Sequence, residues 1–475
     1  MKLTYEVNQK APFMKNLVYA FQQLLAIIAA TVLVPVLVNG GNTAPEGVAL
    51  SQASALIGAG VGTLVYLLFT KFKSPVFLGS SFAFITPLIT GIAYGYLGVI
   101  IGSIFAGLVY VIIAIIIKFV GSGWINKLMP PVIIGPTVAL IGLSLSGSAI
   151  NNMMNTSVDV ANYNLLHIFV AIVTFLVTVT VSVKGSKGLK LIPFVIGVGA
   201  GYLVAVLLTI FGFVLGGNSY FNIVNFEAFK SILDFKNWMP NLVLVGAVKE
   251  LSNPELINGA SILSLFLAFA PVAFVVFAEH VADHKNISSI IEKDLLDDPG
   301  LHRTLLGDGV GSIAGALLGG CPNTTYGESV GCVAITGNAS VYTIFTTAIM
   351  CIVLAFIYPI MVLIESIPAC VVGGISVALY GFIAVSGLRM FKHTDLDNSK
   401  NLFIVSSILV TGLGGLKIVI GPVEISSIAC ALILGIIVNA ILKPSKVEVK
   451  KEVVLEEGKE LENNMFGTVV KDKED

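Results

Sequence analysis

Two carboxylates stand deep in apolar sequence, and both have neighbours that could work with them. Glu328 lies in Gly319-Gly320-Cys321-Pro322-Asn323-Thr324-Thr325-Tyr326-Gly327-Glu328, and Glu279 lies in Phe277-Ala278-Glu279-His280-Val281-Ala282-Asp283-His284. An ionisable group inside a membrane span is costly to bury and is by default a functional one. Carboxylates accept hydrogen bonds, so Glu279 and Glu328 could hold the N–H groups of a polar, planar substrate. Asp283 follows Glu279 by four residues. If the helix runs on through Asp283, the two acids are neighbours one turn apart in a low-dielectric setting, and sharing a proton relieves their repulsion. They form the expected proton carrier, with His280 or His284 as a relay toward the cytoplasm. The competing expectation is that Asp283 opens a loop and pairs with Lys285, with His284 marking the membrane surface.

These groups need elements that start and stop inside the bilayer. Gly319, Gly320 and Pro322 break an apolar run, and the hydroxyls of Thr324 and Thr325 are expected to cap a new helix with Tyr326, Gly327 and Glu328 in its first turn. A half-helix of this kind points its unpaired N–H groups and positive dipole end at the membrane midplane. A second interruption, Lys73-Ser74-Pro75 before Gly79-Ser80-Ser81-Phe82, predicts a matching broken span. Phe82 on its own reads as core packing, and its place at a broken span is what singles it out.

The whole composition agrees with a polytopic membrane protein. Of 475 residues 56% are hydrophobic and 12% charged, with a mean hydropathy of +0.94, far from a soluble globular chain. The polar start, Met1 to Pro12, leads straight into a full-length apolar segment, so no removable signal peptide is expected. Apolar stretches predict an all-α fold of about fourteen transmembrane spans, from 14–38 and 49–69 through 76–93, 261–282, 302–320, 324–339 and 341–363 to 424–442. The connection 216–260, taken as extracytoplasmic, divides them into repeats of seven, 14–215 and 261–442, flanked by an N-terminus (1–13) and a charged tail (443–475). An odd number of spans per half makes the repeat inverted, with spans 3 and 10 broken at corresponding places and the site at the interface of the halves.

Lys71, Lys73, Lys118, Lys184, Lys187, Lys190, Lys285, Lys293, Arg303, Arg389, Lys392 and Lys400 fall on one side of these spans, whereas residues 39–50, 91–97 and 151–164 contain no Lys or Arg. Both termini are therefore expected in the cytoplasm. The net charge of -1 gives no reason to expect a nucleic-acid partner. Five unpaired cysteines and the lack of a His-Glu-x-x-His or Gly-x-Ser-x-Gly motif leave no support for a disulfide framework, a metal, a cofactor or an enzyme.

Several stretches together resemble the nucleobase–ascorbate transporters (nucleobase:cation symporter-2), and within them the bacterial uracil permeases. They are Ala30-Thr31-Val32-Leu33-Val34-Pro35, Leu78-Gly79-Ser80-Ser81-Phe82, Ala278-Glu279-His280, Asp298-Pro299-Gly300-Leu301-His302-Arg303 and Pro322-Asn323-Thr324-Thr325-Tyr326-Gly327-Glu328. The family signature, an acid or amide followed by Asn-x-Gly and a later Thr, reads here Glu328-Ser329-Val330-Gly331 to Thr336, with Ser329 in place of Asn. Gln22-Gln23 stands where the family commonly has Gln-His.

The resemblance implies a core domain (spans one to four and eight to eleven), a gate domain (five to seven and twelve to fourteen), a homodimer and a bacterial inner-membrane location. It implies uracil import by proton symport. A base would be held by Glu279 and Glu328 with Phe82, backbone at Tyr326 and Gly327, and Ser376 and Tyr380. The alternative substrate is a purine or xanthine; Glu328 in place of an amide favours the pyrimidine.

Overall fold

The computed structural model describes residues 3–442 except 42, 122–123, 125–127, 129, 155–163, 218, 235–237, 252–256, 393 and 421–422, together with 461–464 and 467–470. Lys127 and most of the tail fall outside the described residues.

The chain forms two units. The larger comprises residues 1–119, 145–379 and 419–424, and the smaller 120–144, 380–418 and 425–475. In the larger unit, α1 (Phe13–Asn39) and α2 (Gln52–Phe69) lead to a strand, β1 (Leu78–Ser80), a 3-10 turn (Phe82–Phe84) and α3 (Ile85–Ile92). Then come α4 (Gly95–Val120), and in the smaller unit α5 (Pro131–Ser144). The larger unit resumes with α6 (Ser146–Met154), α7 (Leu165–Lys184), α8 (Pro193–Val214), α9 (Val243–Glu250), α10 (Gly259–Ile291) and α11 (Leu301–Gly319). After these follow β2 (Asn323–Thr325), α12 (Gly327–Thr336), α13 (Val341–Ala355), α14 (Tyr358–Glu365) and α15 (Ala369–Met390), whose last turns lie in the smaller unit. The chain continues through α16 (Ser399–Leu413), short strands β3 (Ile418–Ile420) and β4 (Val423–Ile425), and α17 (Ser427–Ile441). In the tail, β5 (Leu461–Asn464) pairs antiparallel with β6 (Gly467–Val470).

Among the described residues, eight helices are long and apolar enough to cross a membrane, or nine if α13 and α14 count as one span. Those two meet at 80°, so residues 341–363, expected as one straight span, are bent. Outward faces of α7 and α8 are strongly apolar: Phe169, Leu176, Val183, Leu203, Leu207 and Phe211 are exposed. Such a surface is stable only against hydrocarbon, and the chain is a multi-pass membrane protein.

Within the larger unit the site elements are held by small residues. On α2, Gly58 and Gly62 face Gly315 and Gly311 of α11; a Cβ on Gly58 would stand 2.5 Å from the Gly315 carbonyl oxygen. Glycines at four-residue spacing let two membrane helices touch backbone to backbone. Asn323 closes the same seam, donating from Nδ2 to the Gly58 carbonyl at 2.8 Å. The N-terminal segment straps the far end of α12: Ala339 N–H donates to the Tyr5 carbonyl and Val341 N–H to that of Val7.

Candidate functional site

The central device is a pair of three-residue strands where two helices have been interrupted. β1 and β2 run antiparallel with Leu78 opposite Thr325, Gly79 opposite Thr324 and Ser80 opposite Asn323. Tyr326 N–H donates to the Phe77 carbonyl and Ser81 N–H to that of Pro322, while Leu78 N–H is taken by the Thr63 hydroxyl at 2.9 Å. Interrupted helices inside a bilayer must find partners for their freed backbone groups, and the two breaks supply them to each other.

This corrects the expected capping. Thr324 and Thr325 are strand residues, the residue before the first turn of α12 is Tyr326, and no side chain caps that helix. The Thr325 hydroxyl donates instead to Oδ2 of Asp283 at 2.8 Å. A Cβ on Gly79 would stand 2.3 Å from the Tyr326 ring, so only glycine fits beside that tyrosine, whose hydroxyl donates to the Ser80 carbonyl at 2.8 Å.

Helix α10 runs unbroken to Ile291, well past the boundary expected at residue 282. Glu279 and Asp283 are therefore one turn apart on a single helix, and the expectation that Asp283 opens a loop is overturned. Asp283, Glu328 and Asp308 all lie within electrostatic reach of Glu279, and Gly327 borders Asp283, whose Oδ1 lies 3.6 Å from where its Cβ would be. Glu279, Glu328 and Phe82 are half-buried and Gly327 exposed, whereas His280, Asp283, His284, Thr325, Tyr326 and Ser329 are buried. Of the residues expected to touch a substrate, Glu279, Glu328, Phe82 and Gly327 thus keep an open side, whereas Tyr326, Ser376 and Tyr380 are buried.

Behind Glu279, His280 Nδ1 meets Oδ2 of Asp308 at 2.7 Å, both side chains wholly buried. Its Nε2 lies 3.1 Å from the Thr304 hydroxyl. Asp308 is the functional candidate that the sequence reading passed over. Its signal was there: a carboxylate in the apolar stretch 302–320 meets the same criterion that singled out Glu279 and Glu328. His284 is wholly buried inside the protein. Its Nδ1 faces the His280 carbonyl at 2.8 Å, which can only accept, so Nδ1 carries the hydrogen and Nε2 is left for the Tyr66 hydroxyl at 2.6 Å. The two imidazoles stack with centroids 4.0 Å apart. Their four-residue spacing could suit a metal, but their nitrogens address different partners. Among the described residues no group of three or more metal-ligating side chains is found.

On α15, Ser376 is buried and donates to the Val372 carbonyl at 2.7 Å, turning its hydroxyl onto its own helix. Tyr380, one turn further on, is also buried. Nearer the surface, Lys73 grips both carboxylate oxygens of Asp298 at 2.6 and 2.8 Å, which ties the loop before α11 to the approach to β1.

Residues 14–421 match the family described as the Permease family. The chain is 39% identical over 439 residues to the uracil permease of Bacillus subtilis (strain 168), covering 90% of this chain and 93% of that protein. It is 35% identical over 452 residues to the uracil permease of Escherichia coli (strain K12), covering 95% and 96%. In fold it is similar to the transmembrane domain of the cyanobacterial bicarbonate transporter BicA, with a TM-score of 0.57 at 14% identity over 92% of this chain and all of that one. Murine Slc26a9, an anion transporter in its inward-facing state, gives 0.61 at 10% identity over 91% and 69%. A largely helical membrane fold, carboxylates open on one side between interrupted helices and a match over most of the sequence lead to one conclusion: the chain belongs to the permease family, whose members are transporters and not enzymes.

Proposed function

We propose that the protein imports uracil by proton symport, with alternating access between a core and a gate domain. The observation that carries this reading is the half-open pair Glu279 and Glu328, set among buried neighbours beside the exposed Gly327. Uracil presents two N–H donors and two carbonyl acceptors around a flat ring. The two glutamates accept its N–H groups, backbone N–H at Gly327, next to Tyr326, serves a carbonyl, and the Phe82 ring packs on the base. Ser376 and Tyr380, on α15, are the further residues assigned to base binding. The similarity to uracil permeases supports the choice of base.

The proton rides on Glu279 and Asp283, with His280 and His284 behind them. The span count behind this reading is fourteen, as a 7+7 inverted repeat with domains at 14–215 and 261–442; it is supported by the strand-then-helix pattern at both 78–92 and 323–336 and by the antiparallel β1–β2 pairing. The protein works as a homodimer in the bacterial inner membrane with residues 1–13 and 443–475 in the cytoplasm and 216–260 outside.

Counterflow in proteoliposomes tests the reading, because only a carrier exchanges labelled base for internal base. Labelled uracil should exchange and cytosine should not. Ring N3 of cytosine lacks the hydrogen a carboxylate needs, and a site that bonds an N–H can reject the analogue lacking it by about 10⁴. Equal exchange of the two bases, or preferential exchange of xanthine, would refute the assignment.

A further inference from the structure

Gln23 and Ser329, 306 residues apart in the sequence, touch each other. Gln23, on α1 and 3% exposed, donates from Nε2 to the hydroxyl of Ser329, which is wholly buried in the first turn of α12. The same hydroxyl accepts from Phe77 N–H at 3.1 Å. One oxygen thus joins three elements: α1, the residue leading into β1, and the residue next to Glu328.

Because Phe77 also accepts from Tyr326 N–H through its carbonyl, the first turn of α12 is fastened to the strand approach through both backbone groups of one residue. A second contact from α1 reaches the same turn, the Thr31 hydroxyl lying 3.4 Å from that of Tyr326. Gln23 and Thr31 are eight residues apart and share a face of α1, so α1 acts as a rail along which Tyr326 and Ser329 are seated. No side chain caps α12, and the Glu328 carboxylate accepts from its own backbone N–H, so contacts that seat this turn of backbone carry the carboxylate with it.

We propose that Gln23 and Ser329 form a single positioning pair that aims Glu328 at the substrate. The serine hydroxyl is short and the long glutamine extends to meet it, so a longer amide at 329 calls for a shorter donor at 23. Neither residue needs to touch the base. The proposal deepens the uracil-binding reading of Glu328 and rests on it.

A double-mutant cycle read by uracil binding calorimetry on the detergent-purified full chain tests the pair. Gln23→Ala and Ser329→Ala should each weaken binding about tenfold, the effect of one hydrogen bond's worth of positioning. The double variant should be no weaker than the weaker single, because residues acting through one contact are not additive. As the rescue, Gln23→His and Ser329→Asn should each impair binding alone, and together bring it back to within about threefold of the original. Thermal melting of all variants is followed in parallel, since a merely structural pair would shift melting without restoring affinity in the exchanged double variant.

About a hundredfold loss in the Ala/Ala protein, or failure of His/Asn to recover, overturns the pairing. Glu328→Gln serves as the control for the underlying reading. If it binds uracil as tightly as the original protein, the assignment of Glu328 is wrong and the pair's role falls with it. If it binds weakly while the cycle is additive, only the pair is refuted.

Discussion

Replacing Asp283 by Asn should separate exchange from accumulation. Helix α10 is continuous through residues 279 and 283, so the two carboxylates are i, i+4 neighbours with Cβ atoms roughly 5–6 Å apart. At about 6 Å and an effective dielectric near 20, two negative charges repel by about 2.8 kcal/mol. Having both ionised is thus disfavoured by roughly a hundredfold, which is why the proposed symport assigns its proton to this pair. Asparagine abolishes the repulsion and the site for that proton, yet it keeps an oxygen to accept from Thr325, whose hydroxyl lies 2.8 Å from Oδ2. The contact between α10 and β2 should therefore survive. In proteoliposomes with the membrane potential clamped at zero, a gradient of one pH unit is worth about 1.4 kcal/mol per proton, or about tenfold accumulation for one proton per base. The unaltered protein should approach that ratio. Asp283→Asn should stay near unity while exchanging labelled uracil in counterflow within about threefold of normal. Tenfold accumulation by the variant would refute Asp283 as a proton carrier. Loss of counterflow along with accumulation would also refute the separation of roles, by making Asp283 part of base binding.

Further outcomes follow from the same geometry. Glu328→Gln keeps the shape but turns one acceptor into a donor, so uracil affinity measured by calorimetry should fall by about 1.5–3 kcal/mol with little change in melting temperature. His280→Ala strips the wholly buried Asp308 of its 2.7 Å partner and should cost about 3–5 kcal/mol of stability, read as a large drop in melting temperature; adding Asp308→Asn should recover part of it, and no recovery would deny the pairing. Gly79→Val places atoms where the Tyr326 ring sits, a Cβ alone being 2.3 Å away, and should abolish uracil binding in any protein that still folds.

How much of this was readable in the sequence depended on whether a residue was paired across the fold. Glu279 and Glu328 were legible because hydropathy makes any intramembrane acid conspicuous. The breaks near residues 79 and 322 were legible because glycine and proline interrupt apolar runs. Thr324 and Thr325 were read as helix caps since a hydroxyl before a helix usually acts so locally. Here a strand 245 residues earlier and a carboxylate 42 residues earlier compete for the same groups, and only tertiary structure reveals such partners. The end of α10 was set too early for the same reason: Asp283 and His284 look like a surface when counted against lipid, but Thr325 and Tyr66 bury them. Asp308 was missed although its sequence signal equalled that of Glu328, because no break accompanies it; glycines around it serve the contacts of α11 with α2 and α4, with Gly309 against Tyr110.

The paired breaks also limit which parts can move. Each freed backbone group in hydrocarbon costs several kcal/mol, and the interrupted helices meet that demand through one another: β1 with β2, Phe77 with both Tyr326 and Ser329, and Ser81 with Pro322. Moving α12 away from β1 would unpair these groups together, in the one region where water cannot replace them. Glu279 is tied into the same assembly, because Asp283 one turn along α10 is bonded to Thr325 of β2. Any motion that opens or closes the site must therefore carry α10, β1, β2 and α12 as a single piece, and the contacts that break and reform during transport must be found outside them.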